Sequence, residues 1–282
     1  MTWRPGPAWL FCPADRPDRY GKALGVGDVV VVDLEDAVAA DRKAMARDAV
    51  MRAQLDPDRV VLRINGSGTA DHRADVLLAR EAGMTRVMLA KAEEPISVAA
   101  LAPLQVFALV ESPLGLLRVA ELAAVSNVAG LMWGADDLVA GLGGTASRHP
   151  DGRYRDIARH ARNQTLLAAK AHQRLALDGV HMDIQDTDGL REECEDAAAI
   201  GFDATLAIHP SQLPVIRAAY APTADRVQWA QALLAARADS GGVATFEGRM
   251  VDGPVYRQAQ RLLDLHDRTR EPDGSIGGAD AP

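Results

Sequence analysis

Phe107–Leu142 reads FALVESPLGLLRVAELAAVSNVAGLMWGADDLVAGL. Around it lie two short apolar runs, Val106–Val110 and Val128–Met132, and each leads to acid: Glu111 after the first, Asp136 and Asp137 after the second. Between them Pro113–Ala124 has the apolar spacing of a helix, with a proline near its start. Strand, helix, strand in that order makes the two strands parallel and brings both sets of acids to the same sheet edge. The C-terminal edge of parallel strands is where sites are assembled. Two acids there, with Gly134 leaving room for close backbone approach, suit a hard divalent cation held by oxygen. They equally suit a structural role, as caps or first-turn residues of the helices that follow.

The same alternation extends in both directions. Upstream, short strands are predicted at Trp9–Phe11, Val29–Val32, Val60–Ile64 and Arg86–Leu89, and downstream at Leu175–Leu177 and Ala204–Ile208. Helical patterns separate them, at Asp15–Leu24, Arg42–Arg52, Ala70–Ala82, Ile96–Leu101, Tyr154–His172 and Leu190–Ala199, and continue at Leu213–Tyr220 and Asp225–Ala236. Eight strands in βα alternation, apolar on both faces, predict a closed α/β barrel of the (β/α)8, or TIM, type over residues 1–239. Two pieces exceed a minimal barrel. Gly143–Arg153 is a polar excursion after the sixth strand, and Ser240–Leu265 must pack outside the barrel. Residues 271–282 read as a disordered tail.

The residues that follow each strand carry the chemistry. Asp33, Glu35 and Asp36 follow the second, Arg63 and Asn65 end the third, Lys91 follows the fourth, Asp178 the seventh and His209 the eighth. So many carboxylates in one place demand cations. Arg63 and Lys91 supply part, and a divalent metal would supply more. Arg63 is equally a structural partner for Glu35 or Asp36, depending on whether strand alternation turns it inward. His209, followed by proline, reads as a structural hydrogen-bonding group. No second histidine stands at ligand spacing, so zinc is not expected.

The formal charge of −8 and the scattered arginines argue against a nucleic-acid partner. No apolar run reaches membrane-spanning length. Cys12 and Cys194 stand far apart and read as reduced, buried thiols, which with the absence of a signal-like N-terminal segment predicts a cytoplasmic protein. P-loop, G-x-S-x-G and H-E-x-x-H motifs are absent.

Longer stretches carry a family pattern: LFCPADRPDRYGKA (10–23), VVVDLEDAVAADRKAMAR (30–47), VLRIN (61–65), ALVESPLGL (108–116), LMWGADDLVAGLGG (131–144), GFDATLAIHPSQ (201–212) and EGRMVDGPVYRQAQRLL (247–263). In these the chain resembles the CitE-like, or HpcH/HpaI aldolase/citrate lyase, family, over nearly its whole length. The resemblance implies a TIM barrel with a C-terminal helical lid at 240–270, docking on a neighbouring subunit of a homo-oligomer, a trimer being favoured. It implies Mg2+, with Mn2+ as the alternative, on Glu111 and Asp137. It gives Arg63 the substrate's oxygens, lines the site with Glu35 and Asp36, and cradles the substrate carboxylate on the backbone of Gly134, Ala135 and Asp136. Arg16 and Lys22 match positions that meet the nucleotide end of coenzyme A, and Asp252 matches an acid brought by the lid. The implied reaction is reversible cleavage of a 3-hydroxyacyl-CoA, of citramalyl, malyl or hydroxymethylglutaryl type, to acetyl-CoA and a 2-keto acid or related carbonyl product. The alternatives are a malyl-CoA-type thioesterase, a carrier-protein-dependent citrate lyase β subunit, and a silent scaffold; the intact Arg63, Glu111, Asp137 and Asp252 speak against the last. One departure stands out: the family usually has proline where this chain has Ala90, which leaves the role of Lys91 open.

Overall fold

The computed structural model describes residues 3–237 and 244–269. The tail expected at 271–282 and the start of the expected lid, 240–243, lie outside the described residues.

Eight parallel strands close on one another in sequence order: β1 (Ala8–Pro13), β2 (Val29–Asp33), β3 (Val60–Ile64), β4 (Arg86–Leu89), β5 (Gln105–Val110), β6 (Val128–Trp133), β7 (Leu175–Asp178) and β8 (Ala204–Ala207), with β8 paired to β1. The helices between them are α1 (Tyr20–Val26), α2 (Lys43–Ala53), α3 (His72–Glu81), α4 (Pro95–Ala99), α5 (Pro113–Leu117), α6 (Val119–Ala124), α7 (Ala135–Gly141), α8 (Asp156–Ala171) and α9 (Thr187–Ile200). The expected barrel is therefore observed, with two refinements. The single helix expected at Pro113–Ala124 is two, parted at Arg118, whose N–H reaches both Leu114 and Gly115 carbonyls in a tightened turn. The segment after β6, left unassigned by pattern, is the short helix α7, which opens at Gly134 and carries Asp136 and Asp137 in its first turn.

Alternation sorts each strand into two layers. Trp9, Val29, Val31, Val61, Met88, Phe107, Leu109, Met132, Leu177 and Leu206 fill the lumen, while Leu10, Val30, Val32, Leu62, Leu89, Leu131 and Ala207 pack under the helices. The lumen is solid at its base, where Trp3, Trp9 and Phe107 meet edge to face with centroids 5.2–5.9 Å apart. Gly130 is required there: a Cβ on it would stand 2.7 Å from the Phe107 ring. Continuing the same parity upward, Asp33, Arg63 and Glu111 fall on the lumen side at the top of the barrel. Asp178 falls on the other side. It accepts from Trp133 Nε1 at 2.6 Å and pairs with Arg162 at 2.8 Å, so it belongs to the outer layer rather than to the rim acids.

Beyond the barrel, α10 (Leu213–Tyr220) and α11 (Ala224–Arg237) lead to a small hairpin, β9 (Ala244–Phe246) and β10 (Arg249–Val251), and a last helix, α12 (Gly253–Thr269). The expected extension is thus not wholly helical. Glu247 and Gly248 take φ of 47° and 74°, the paired positive values of a two-residue hairpin turn. Ala230 and Leu233 of α11 bury Val251, Tyr256, Ala259 and Leu262. Further along, α12 is anchored at the foot of the barrel. Arg261 donates to Asp203 Oδ1 at 2.8 Å, and Arg268 donates to the Asp203 and Pro5 carbonyls at 2.7 and 2.9 Å. Asp203, 3% exposed, also meets Lys170. No described contact of this segment reaches the mouth of its own barrel. Among the described residues no helix is long and apolar enough to cross a membrane.

Candidate active site

A cavity of about 190 Å3 opens at the C-terminal end of the strands. Phe11, Leu109 and Met132 give it apolar lining, and Arg63, Glu111, Asp137 and the residues Gly134–Asp136 line it as well. The structure therefore brings together most of the residues expected from sequence.

Arg63 points inward because Val61, two residues earlier, does. Its main partner is neither Glu35 nor Asp36 but Asp33. Nε donates to Asp33 Oδ1 at 2.6 Å, Nη2 donates to Oδ2, and Nη1 lies 3.5 Å from Glu35 Oε2. Asp33 (1% exposed) also accepts from the backbone N–H groups of Glu35 and Ala37, so it holds Arg63 and shapes the turn after β2 at once. Phe11 stacks under the guanidinium at 4.7 Å. Asp33 is the partner of Arg63 that the sequence reading does not name; it faces the lumen with Val29 and Val31, a parity that the all-valine strand does not reveal.

Glu35 is buried and Asp36 exposed, so the two acids of the DLED element part company. Burial raises the Glu35 carboxyl above its ordinary value, opposed by Lys91 and Arg63. Lys91 Nζ lies 2.5 Å from Glu35 Oε1 and 3.6 Å from Asp36 and from Asp137. Lys91 has φ of 49°, a left-handed backbone costing roughly 1–2 kcal/mol in a residue with a side chain. Ala90 explains how the departure from proline is used: its N–H donates to the Ile64 carbonyl at 3.2 Å, a bond proline cannot make.

Glu111 is 4% exposed and lies against Gly134. A Cβ at Gly134 would stand 2.8 Å from Glu111 Cβ and 2.9 Å from Oε2, so only glycine leaves this carboxylate its place. Oε1 accepts from the Lys91 N–H at 2.9 Å. Burial first, and the Asp137 charge second, push the Glu111 carboxyl up to about 8. A buried carboxylate disfavoured as an anion, beside a second carboxylate, suits a hard cation with oxygen ligands. Among the described residues no group of three or more His, Cys, Asp or Glu converges as a metal site; Glu111 and Asp137 line the cavity together. Asp136 also lines the cavity and accepts from Ser147 Oγ at 2.6 Å.

That bond brings the excursion 143–153 over the mouth. Arg148 stacks on Tyr154 at 3.6 Å and clasps Glu193 of α9 with both Nη atoms, while His181 Nδ1 lies 3.0 Å from Glu193 Oε2. Arg148 and Tyr154 thereby become a wall of the cavity.

The remaining expected residues lie apart. Arg16 pairs with Asp18 at 2.9 Å, and Lys22 is exposed on α1; neither lines the cavity. Asp252 caps α12, its Oδ1 accepting from Val255 N–H at 3.4 Å, on the segment anchored at the foot. His209 does what was expected of it, accepting from the Ser211 N–H at 3.2 Å as a helix cap. Burial pushes Cys12 up to about 11 and Cys194 up to about 12, as inert thiols require.

A model of the family described as HpcH/HpaI aldolase/citrate lyase matches residues 8–210. A citrate lyase subunit beta-like protein of Mycobacterium tuberculosis is 53% identical over 258 residues, 92% of this chain and 94% of that one. A (3S)-malyl-CoA thioesterase of Cereibacter sphaeroides is 34% identical over 268 residues, covering 90% of this chain and 92% of that one. The crystal structure of the protein CitE from M. tuberculosis, in complex with magnesium, acetoacetate and coenzyme A, matches with a TM-score of 0.87 at 52% identity, over 93% of this chain and 98% of that chain. With its barrel matched from β1 to the turn after β8, and relatives aligned along nearly their whole length, this chain belongs to the HpcH/HpaI aldolase/citrate lyase family.

Proposed function

We propose that this protein is a Mg2+-dependent carbon–carbon lyase that reversibly cleaves a 3-hydroxyacyl-CoA, of citramalyl, malyl or hydroxymethylglutaryl type, to acetyl-CoA and a 2-keto acid or related carbonyl product. The observation that carries the reading is the meeting of Glu111, Asp137 and Arg63 around one small cavity, with Gly134 keeping a Cβ out of the Glu111 carboxylate's space. The similar solved protein that holds magnesium, acetoacetate and coenzyme A supports it.

Glu111 and Asp137 hold the cation, with Mn2+ able to replace Mg2+. When bound, it supplies Lewis-acid stabilisation of the oxygen that becomes the product carbonyl. The N–H groups at the start of α7 orient the substrate carboxylate. Transfer of the hydroxyl proton to one of the rim acids, Glu35 or Asp36, lets the carbon–carbon bond break and leaves its electron pair as the enolate of acetyl-CoA. Arg63, held rigid by Asp33, stabilises the charge developing on the thioester oxygen. Asp252 of the partner subunit gives the enolate carbon its proton, and in synthesis removes it. Arg16 and Lys22, outside the cavity, meet the nucleotide end of coenzyme A. Residues 240–270 act as a lid for the neighbouring barrel in a homo-oligomer, a trimer being favoured.

A second reading is hydrolysis of the thioester, favoured by the similarity to the malyl-CoA thioesterase. A cleavage assay on a panel of 3-hydroxyacyl-CoA thioesters, with Mg2+ and then with excess EDTA, separates the two. Metal-dependent keto product with intact acetyl-CoA supports the lyase. Free thiol without keto product supports the thioesterase, and no turnover on any thioester rejects both.

A further inference from the structure

We propose that Lys91 is the positioning residue of the metal-binding rim, acting through two contacts of opposite effect. The proposal rests on the metal reading above. Its backbone N–H, presented by the left-handed conformation at φ 49°, holds Glu111 Oε1 at 2.9 Å and leaves Oε2, beside Gly134, for the cation. Its ammonium, on the same residue, lies 2.5 Å from Glu35 Oε1 and 3.6 Å from both Asp36 and Asp137.

The first contact assembles the metal ligands. The second is an internal counter-ion that ties a metal ligand, Asp137, to the non-ligand acids Glu35 and Asp36. Mg2+ entering beside Asp137 must share that carboxylate with the ammonium, so the side chain lowers the intrinsic affinity for metal. In exchange it keeps Glu35 ordered beside Arg63. The local structure is built for this placement. A Cβ at Gly66 would lie 3.2 Å from the Ala90 carbonyl and 3.7 Å from Lys91 Cβ, and one at Gly115 would lie 2.4 Å from the Ala92 carbonyl. The Ala90 and Ala92 N–H groups pin the flanks to the Ile64 and Leu109 carbonyls at 3.2 and 2.9 Å. Lys91 is thus strained between two hydrogen-bonded neighbours, as residues at functional sites are.

The two contacts separate in Lys91→Gly, which tolerates the positive φ and keeps the N–H while removing the ammonium. Mg2+ binding to the metal-free protein is measured by titration calorimetry, with kcat and KM taken in parallel and folding checked by melting temperature. Lys91→Gly is expected to bind Mg2+ about tenfold more tightly than wild type while kcat falls about tenfold or more. Lys91→Arg, which restores the cation, is expected to return Mg2+ affinity toward wild type. Equal or weaker Mg2+ affinity in a folded Lys91→Gly protein overturns the proposal. Absence of Mg2+ binding by the wild type overturns the metal reading instead.

Discussion

Gly134 shows how tightly one position constrains this site. Gly134→Ala places a methyl 2.8 Å from Glu111 Cβ and 2.9 Å from its Oε2, so the buried carboxylate must shift: Mg2+ affinity should fall more than tenfold and the melting temperature should also drop. Unchanged affinity by calorimetry would show that Glu111 can relax. Glu111 also sets a pH dependence. Its carboxyl is pushed up to about 8; if Glu111 holds Mg2+ as proposed it must lose the proton, so binding would expel a proton below that pH. Mg2+ affinity of the metal-free enzyme should rise about tenfold per pH unit from about pH 6 toward 8 and level off above. Calorimetry in buffers of different ionisation heat reads the released proton; a flat profile removes Glu111 from the ligand set. The sign for folding runs the other way. Between the ordinary value of 4.5 and about 8 the folded chain holds a proton the unfolded chain has lost, so metal-free stability falls as pH rises through that window.

The excursion 143–153 behaves as an element through the Ser147–Asp136 bond and the Arg148–Glu193–His181 knot. Glu193 raises the His181 pKa above its ordinary value against the effect of burial. The charged clasp therefore contributes stability that is full below the ordinary imidazole value and is lost as pH rises through the raised one. Glu193→Gln should cost about 2 kcal/mol. It should also open 143–153 to limited proteolysis; cleavage at the wild-type rate would show that the clasp does not hold the wall. What the sequence reveals also differs by element. The strands were legible because their apolar runs are bounded by charged or polar residues, proline or glycine. The inward or outward sense of Arg63, Asp33 and Asp178 was not, because strands buried on both faces carry no polar alternation to set parity. The acids at Asp136–Asp137 suit both roles, ligand and first-turn residue; α7 puts both in its first turn, and both line the cavity. The hairpin was missed because its turn is Glu247–Gly248 rather than an asparagine or aspartate with glycine.

At the scale of the whole molecule, an enzyme of a lyase family has its expected proton donor on a segment that runs to the far end of its own barrel. Asp252→Asn should abolish turnover while Mg2+ and keto-acid binding survive. Arg63→Ala should be inactive for a different reason. If Asp252 serves a neighbouring barrel, mixing the two inactive proteins after dissociation should restore about a quarter of the sites. No recovery from reassembled oligomers would place Asp252 outside the partner's chemistry.

The anchoring of α12 on Asp203 has a consequence for synthesis. Asp203 precedes β8, the strand whose pairing with β1 closes the barrel. Of the three cations around this buried acid, Lys170 leaves the ribosome early, but Arg261 and Arg268 emerge close to the end of the chain. A nascent chain ending before α12 leaves Asp203 with Lys170 and the Ala176 N–H as partners, and loss of the hydrogen bond from Arg261 costs about 1.5–3 kcal/mol. Emergence of α12 thereby favours ring closure: a chain stopped near residue 243 should be more protease-sensitive than one that includes α12, and equal resistance would show that the barrel seals without this helix.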